Sequence, residues 1–343
     1  MNFLLRHAVW ALPLLSTAPH LASSAARVET ARSQDPVEDP AETPPEKVES
    51  EEEHWTQEKL EAVTLEIQAQ IEELRDAKFT KPVKVALTDQ AGLVKYAKER
   101  SASTTPPEAL EASETISKML GLITADVDLF QASIDMIEGQ AGGFYDPGTE
   151  TFYLMERFAT GGAAKIVLAH ELTHALDDQL HDLDGPLRGG TMTTDEQLAY
   201  HALIEGSGMA AMQQWMMKHP KEWGMEDIEA SQAMTQDSMV GVPQVVWKPL
   251  LASYLAGDAF LRRSTAIVNM LGTVVKKADV LQAFEAPPLS TEHVLHPKKY
   301  WESELRDNPH AIAFEIGELP VDWAVTQRDT LGELMLSLVT TPL

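Results

Sequence analysis

Residues 163–176 read Ala-Ala-Lys-Ile-Val-Leu-Ala-His-Glu-Leu-Thr-His-Ala-Leu, and this stretch decides the fold. Apart from one lysine, one glutamate, one threonine and two histidines it is apolar on every side, which is typical of a buried helix. Thr160, Gly161 and Gly162 precede it and can open a helix. The sequence therefore predicts a buried central helix that carries a small group of polar side chains.

The polar residues of this helix form the pattern His170-Glu171-Leu172-Thr173-His174. Histidines four residues apart leave the same helix face about one turn apart, so both imidazoles can bind one Zn²⁺ ion. Glu171 would lie beside that ion without binding it, where it can act as a general base. As ordinary core residues these polar groups would cost several kcal/mol unless they had strong partners. The pattern therefore favours a metal site over a structural role.

A third metal ligand has to come from outside this pattern. His181 shares the helix face but lies roughly 10 Å from His174 along the axis. A three-histidine site would also need glycine and histidine where Asp177 and Leu180 stand. His181 is therefore excluded as a ligand.

Glu205 is the better candidate for the third ligand. It falls on the apolar stripe of a helix predicted from Asp195 to Lys218, where an acid is unexpected unless it is paired or binds a metal. Gly206 and Gly208 follow it, and close approach of this helix to the histidine helix would explain both glycines. An ion pair with arginine or lysine is the alternative. The reserve ligands are Asp195, Glu196 and His201.

The residues before the histidine helix predict a mainly helical α+β fold. Apolar residues recur at helical spacing between His54 and Phe79, and residues 83–87 alternate like a strand. Thr88 is a candidate N-cap for a helix that ends near Arg100. Two aromatic segments within 142–154 flank Asp146-Pro147-Gly148, which predicts a β-hairpin. Further helical stretches are predicted near 107–120 and 124–138. Residues 54–343 are expected to form one domain.

The amino-terminal part of the chain is predicted to lie outside that domain. Residues 1–26 contain no acid, carry an apolar stretch and end in small residues, which predicts a signal peptide cleaved before Arg27. Residues 27–53 are rich in proline and glutamate and lack aromatics, so they are expected to be a disordered acidic linker. The expected location is the periplasm, the cell envelope or the medium.

Composition excludes several classes of function. The chain has no cysteine, which rules out disulfides, thiolate metal sites and a cysteine nucleophile. Its net charge of −26 opposes binding to nucleic acid. No stretch reaches the roughly 18 apolar residues of a spanning helix, so stable membrane insertion is not expected.

Four phrases with specific spacing resemble the gluzincins, the thermolysin-like zinc metallopeptidases, and most closely an exported bacterial group of gluzincin-like proteins. The four phrases are residues 143–147, 170–179, 202–206 and 290–300. The resemblance implies a zincin-like fold, zinc binding by His170, His174 and Glu205, and a base role for Glu171.

One position departs from this family. Thermolysin-like enzymes usually place an aspartate four residues after the glutamate ligand, where this chain has Met209. The carboxylate that orients a histidine ligand is then expected to be Asp178 or Asp177, the nearest in sequence.

The donor that stabilises the oxyanion stays open at this point. His296 and His293 lie in a polar, proline-flanked loop, and a structural role in capping a helix is favoured for that loop. Tyr153 is a further candidate, although a strand tyrosine is more often core. By resemblance, residues 151–154 are expected to pair with the backbone of a peptide substrate.

The sequence thus predicts an exported metallopeptidase with one Zn²⁺ per chain, acting on peptide or protein substrates through a zinc-activated water, with Glu171 as general base. Two other functions stay open. One is a catalytically weak or inactive zincin-like protein that binds peptide or a cell-envelope polymer. The other is a structural envelope protein without metal.

Overall fold

The computed structural model describes residues 54–140, 142–188, 191–229, 239–264, 274–310, 312, 315–325 and 328–340. The predicted signal peptide and linker lie outside the described residues and stay predictions. The described chain is predominantly helical with one three-stranded sheet, as the sequence predicted. No helix among these residues is both long and apolar enough to span a membrane.

Between residues 54 and 158 the structure describes four α-helices, the sheet and a short 3-10 helix (Glu156–Phe158). Thr56 caps the first helix by accepting a hydrogen bond from Lys59 N, and Asp89 caps the second. The prediction of Thr88 as that second N-cap was wrong, because Thr88 is the last residue of a strand. The elements in chain order are α1 (Gln57–Arg75), β1 (Lys84–Thr88), α2 (Gln90–Thr104), α3 (Pro107–Met119), α4 (Leu129–Gln140), β2 (Gly143–Asp146) and β3 (Thr151–Met155).

The sheet has the strand order β1-β3-β2. The predicted hairpin is confirmed: β2 pairs with β3 antiparallel, with Gly143 opposite Leu154. The Asp146 carboxylate accepts hydrogen bonds from Gly148 N and Thr149 N, which fixes the turn. β1 pairs with the other side of β3 in parallel. β3 is therefore the central strand.

This order corrects the expectation that residues 151–154 bind substrate. A strand whose two sides are already paired has no free backbone groups for a peptide. Among the described strands only β1 and β2 lie at an edge. Of these, β2 packs against the histidine helix.

The carboxy-terminal half is helical. The histidine helix is α5, and its first turn is capped from outside because Asp227 accepts a hydrogen bond from Ala163 N. Thr193 and Glu196 form a capping box at the start of α7. The elements are α5 (Gly161–His181), α6 (Gly185–Arg188), α7 (Thr194–Lys218), α8 (Gln244–Leu261), α9 (Lys277–Glu285), α10 (Thr291–Leu295), α11 (Lys298–Trp301) and α12 (Gly332–Thr340).

The main core forms where α5 packs between α1, the sheet and α7, and α8 packs along α7. A Cβ atom at Gly257 of α8 would collide with the backbone of Ala202 on α7, and one at Gly206 would collide with the backbone of Gly257. These two glycines bring α7 and α8 into backbone contact. Gly206 thus serves the contact with α8, and the prediction that it serves the approach to the histidine helix was wrong.

Candidate metal centre

Three predicted ligands converge between α5 and α7. The imidazole rings of His170 and His174 lie edge to face, with centroids 4.4 Å apart. Glu205 Oε2 lies 3.2 Å from His170 Nε2 and 3.6 Å from His174 Nε2. One donor atom from each of the three residues lies within 4.8 Å of the others. In the described part of the chain these residues form the group that could hold a metal ion.

Gly208 makes this convergence possible. It lies one turn after Glu205 on α7, and a Cβ atom there would stand 2.7 Å from His170 Cε1 and 2.8 Å from His174 Cε1. Carbon contacts that short do not occur without displacement of one partner. The predicted close approach of this helix to the histidine helix is therefore present at Gly208.

Glu171 directly follows His170 on α5 and is not in the group that could hold a metal. Its Oε2 accepts a hydrogen bond of 2.9 Å from Tyr145 N on β2. Its Oε1 is buried and has no hydrogen-bond partner among the described residues. The edge strand therefore holds one carboxylate oxygen of Glu171 and leaves the other without a hydrogen bond.

Tyr254 of α8 packs against one of the three predicted ligands. Its ring stacks on His170 with a centroid distance of 5.9 Å. The side chain is fully buried. Burial and the neighbouring carboxylates raise the pKa of Tyr254 well above its ordinary value, so the phenol stays protonated and can donate.

The protonation states suit a divalent cation. Burial, helped by His174, lowers the pKa of His170 to about 4. Burial alone would raise the pKa of Glu205, but the close contacts of its carboxylate with His170, at 3.2 Å, and His174, at 3.6 Å, outweigh it and bring that pKa to about 2. Burial and the charge of Glu205 raise the pKa of Glu171. At neutral pH the ligand set therefore contains a neutral His170 and an ionised Glu205, the forms in which these groups bind metal.

A polar atom that lacks a partner supports the same interpretation. Glu205 Oε1 is buried without a hydrogen-bond partner among the described residues. A buried carboxylate oxygen without a donor is costly, and a cation beside it would offset that cost. Two imidazoles and one carboxylate make the ligand set of many catalytic zinc sites. The residues present thus fit a zinc ion.

Both carboxylates predicted to orient a histidine ligand have other partners, and those two predictions were wrong. Asp178 accepts hydrogen bonds from the Tyr145 hydroxyl, at 2.9 Å, and from Leu183 N, at 3.0 Å. Asp177 pairs with Arg75. The helix turns each aspartate to a different neighbour, so closeness in sequence to His174 did not bring either one to its imidazole.

Asp177 belongs to a buried polar cluster that joins three helices. Arg75 of α1 contacts its carboxylate at 2.5 Å, and Ser207 of α7 donates to Asp177 Oδ2 at 2.5 Å. Arg75 also donates to the Ser207 hydroxyl at 2.8 Å. This cluster, Arg75–Asp177–Ser207, ties the ends of α1 and α5 to α7 two residues after Glu205.

We expect Arg75→Met to lower the free energy of unfolding by about 3 kcal/mol, because it leaves the Asp177 carboxylate buried without its cation. Urea denaturation measures the change. The matched control is Arg188→Met, which breaks an ion pair whose side chains are 61 % and 66 % exposed and should cost less than about 1 kcal/mol. Equal losses in the two variants would contradict a structural role for the cluster.

The oxyanion candidates are not brought to the metal ligands by any contact that the structure describes. His293 is buried, and its ring nitrogens contact Leu289 N, at 3.3 Å, and the Asp307 carbonyl, at 2.7 Å. His296 is half-exposed and pairs with Glu333 at 2.8 Å. Tyr153 stacks on Phe144 with centroids 4.9 Å apart. The contacts of His293 agree with the structural role favoured for its loop.

The reserve ligands lie elsewhere on α7. Asp195 accepts a hydrogen bond of 3.1 Å from Thr291 N near the helix start, and Glu196 completes the capping box. His201 is buried one turn before Glu205 but is not in the metal-holding group. His181 stacks on Phe284 with centroids 4.7 Å apart, in agreement with its exclusion as a ligand.

Sequence reasoning missed Tyr254, Arg75 and Ser207. The sequence contains one weak signal for Tyr254. Gly257 lies three residues later on the same helix face, and a glycine there indicates a close contact with another helix. Comparisons of the chain with family models, curated proteins and solved structures found no match. They neither support nor contradict the resemblance to gluzincins.

Proposed function

We propose that this protein is an exported, zinc-dependent metallopeptidase with a zincin-like fold, which hydrolyses peptide bonds in peptide or protein substrates. The observation that carries the proposal is the convergence of buried His170, His174 and Glu205 within 4.8 Å. Glu171 lies between the two histidines on α5. The phrases that resemble exported gluzincin-like proteins and the signal-like residues 1–26 support the activity and the location.

Each residue of the centre has a distinct task. His170, His174 and Glu205 would hold the zinc ion. When bound, the ion would activate a water molecule and polarise the carbonyl of the scissile peptide bond. Glu171 would take a proton at Oε1 from the attacking water and deliver it to the leaving amine. The hydrogen bond from Tyr145 N fixes the direction of that carboxylate.

A second candidate function is metal-dependent binding without turnover. It is favoured by the burial of the centre: His170, Glu171 and His174 are 0 % exposed and Glu205 is 1 % exposed. A scissile carbonyl has to reach the metal, so hydrolysis requires side chains around the centre to move. A protein that holds the metal for stability or for binding peptide or a cell-envelope polymer needs no such movement.

Casein digestion tests the first function against the second. The untagged protein is incubated with casein alone, with a chelator, and with the chelator followed by added Zn²⁺. The proposal expects cleavage that the chelator removes and zinc restores. Absence of cleavage from a zinc-loaded protein would contradict it and favour binding without turnover.

Thermal melting separates both functions from a structural protein without metal. A metal that binds the folded state alone raises Tm, so the chelator should lower it. An unchanged Tm would favour the structural protein.

A further inference from the structure

We propose that the hydrogen bond between Ser207 and Asp177 is a positioning contact for the metal centre. It holds α7 against α5, so that Glu205 stays beside the two histidines. This inference rests on the proposed zinc site, and it assigns Ser207 and Asp177 no contact with metal or substrate. It concerns how ligands from two helices are kept together before and after metal binds.

Asp177 continues the ligand face of α5. It follows His170 by seven residues and His174 by three, and residues at these spacings lie on one side of a helix. On α7, Ser207 follows Glu205 by two residues. The ligands and the hydrogen bond therefore join the same two helices, within about one turn of each other on each helix.

The hydrogen bond between the helices is short and enclosed. Ser207 Oγ donates to Asp177 Oδ2 at 2.5 Å. Ser207 is 1 % exposed and Asp177 is 0 % exposed, so water does not compete for either partner. Arg75 of α1 donates to the hydroxyl at 2.8 Å and to Asp177 Oδ1 at 2.5 Å. Hydrogen bonds within a buried, charged network are stronger than isolated neutral ones, so this one can resist sliding of α7 along α5.

Ser207 uses its hydroxyl differently from other buried helical serines. Ser133 of α4 donates to Leu129 O at 2.7 Å, four residues earlier in its own helix. Ser253 of α8 donates in the same way to Pro249 O, at 3.0 Å. A bond of that kind lies within one helix and ties no helix to another. Ser207 donates across to α5 instead, so its hydroxyl carries a contact between helices.

The three residues after Glu205 have low helix propensity, and each meets a different neighbour. Gly206 meets the backbone of α8, Ser207 binds Asp177, and Gly208 faces the imidazoles. Alanine has a higher helix propensity than glycine or serine. These residue types are therefore explained by the contacts that they permit, and the contacts lie within one turn of the ligand.

A fixed register between α5 and α7 lowers the cost of metal binding. Helices that can slide present Glu205 at a range of distances from the histidines, and binding has to select one of them. Metal ligands have to be held within about 0.5 Å of the binding geometry. Changes in the residues around metal ligands typically weaken binding about 10- to 100-fold. We therefore expect Ser207 and Asp177 to affect zinc affinity, although neither belongs to the group that could hold a metal.

The test is the Kd for Zn²⁺, measured by competition with a chromogenic chelator, in the wild type, Ser207→Ala and Ser133→Ala. Alanine removes the hydroxyl of Ser207, favours the helix and keeps both members of the ion pair between Arg75 and Asp177. Ser133 is the matched control, because it is equally buried and its hydroxyl bonds within α4. Ser207→Ala should raise the Kd about tenfold, and Ser133→Ala should leave it within about threefold.

Two further measurements separate positioning from general stabilisation. The rise in Tm on adding Zn²⁺ should be smaller in Ser207→Ala than in the wild type and in Ser133→Ala. The visible absorption of the Co²⁺-substituted protein should shift in Ser207→Ala alone. A merely structural hydroxyl would instead lower Tm by the same amount with and without metal.

The outcomes are distinct. An unchanged Kd in Ser207→Ala, or equal rises in Ser207→Ala and Ser133→Ala, would overturn the positioning role. A wild-type protein that binds no Zn²⁺ would overturn the metal site itself and this inference with it. A wild type that binds Zn²⁺ without cleaving casein refutes the proposed activity, while the Kd values still decide the role of Ser207.

Discussion

Replacing Glu171 with glutamine should lower the rate of casein cleavage about 100- to 10,000-fold, the range over which a positioned general base accelerates a reaction. Glutamine has nearly the same shape and can still accept the hydrogen bond from Tyr145 N. It cannot take a proton from water. Zinc content should stay at the wild-type value, because Glu171 is not one of the three converging ligands.

The matched control is Glu285→Gln, which changes an exposed glutamate on α9 and should leave cleavage unaltered. Initial rates of casein cleavage and zinc content are measured on the same preparations. Full activity in Glu171→Gln would contradict the assignment of the general base. Loss of zinc from that variant would instead show that Glu171 is a ligand.

Replacing Gly208 with alanine should weaken zinc binding at least tenfold. The added Cβ would stand 2.7 Å from His170 Cε1 and 2.8 Å from His174 Cε1, so α7 or both imidazoles have to move. Changes in the surrounding residues that displace metal ligands typically weaken metal binding about 10- to 100-fold. In a helix without such a clash, alanine would be stabilising by about 1 kcal/mol relative to glycine, so a loss has to come from the contact.

Gly317→Ala is the control for this prediction, because a Cβ atom there meets no atom within 4 Å. The two variants are compared by zinc titration and by Tm with and without zinc. If Gly208→Ala binds zinc as tightly as the wild type does, the close approach of α7 to the imidazoles is not required.

The sequence was most informative where neighbouring residues alone determine the local structure. The hairpin followed from the turn residues around Asp146, and α5 from an apolar stretch of helical length. Glu205 was found because an acid on an apolar helix face conflicts with burial. The conflict is visible within one helix. Tertiary packing resolves it, because it brings Glu205 to His170, which lies 35 residues earlier in the chain.

The failed predictions share a different cause. Asp177 was assigned by closeness in sequence, yet its partner Arg75 lies 102 residues away. β3 was expected to offer a free edge, but β1, from far earlier in the chain, pairs with it in parallel. For Tyr254, the sequence offered only its three-residue spacing to Gly257 as a sign of a close helix contact. Partners that packing brings together across helices leave little trace in the periodicity of either helix.

The most direct test of the metal centre is zinc per chain, measured by elemental mass spectrometry on the untagged protein beside Glu205→Ala. The account predicts close to one zinc ion per chain in the wild type, and a clear loss in Glu205→Ala, which removes the carboxylate that α7 places beside His170 and His174. A wild type without zinc, even after reconstitution with Zn²⁺, would contradict it and make the buried histidines core residues.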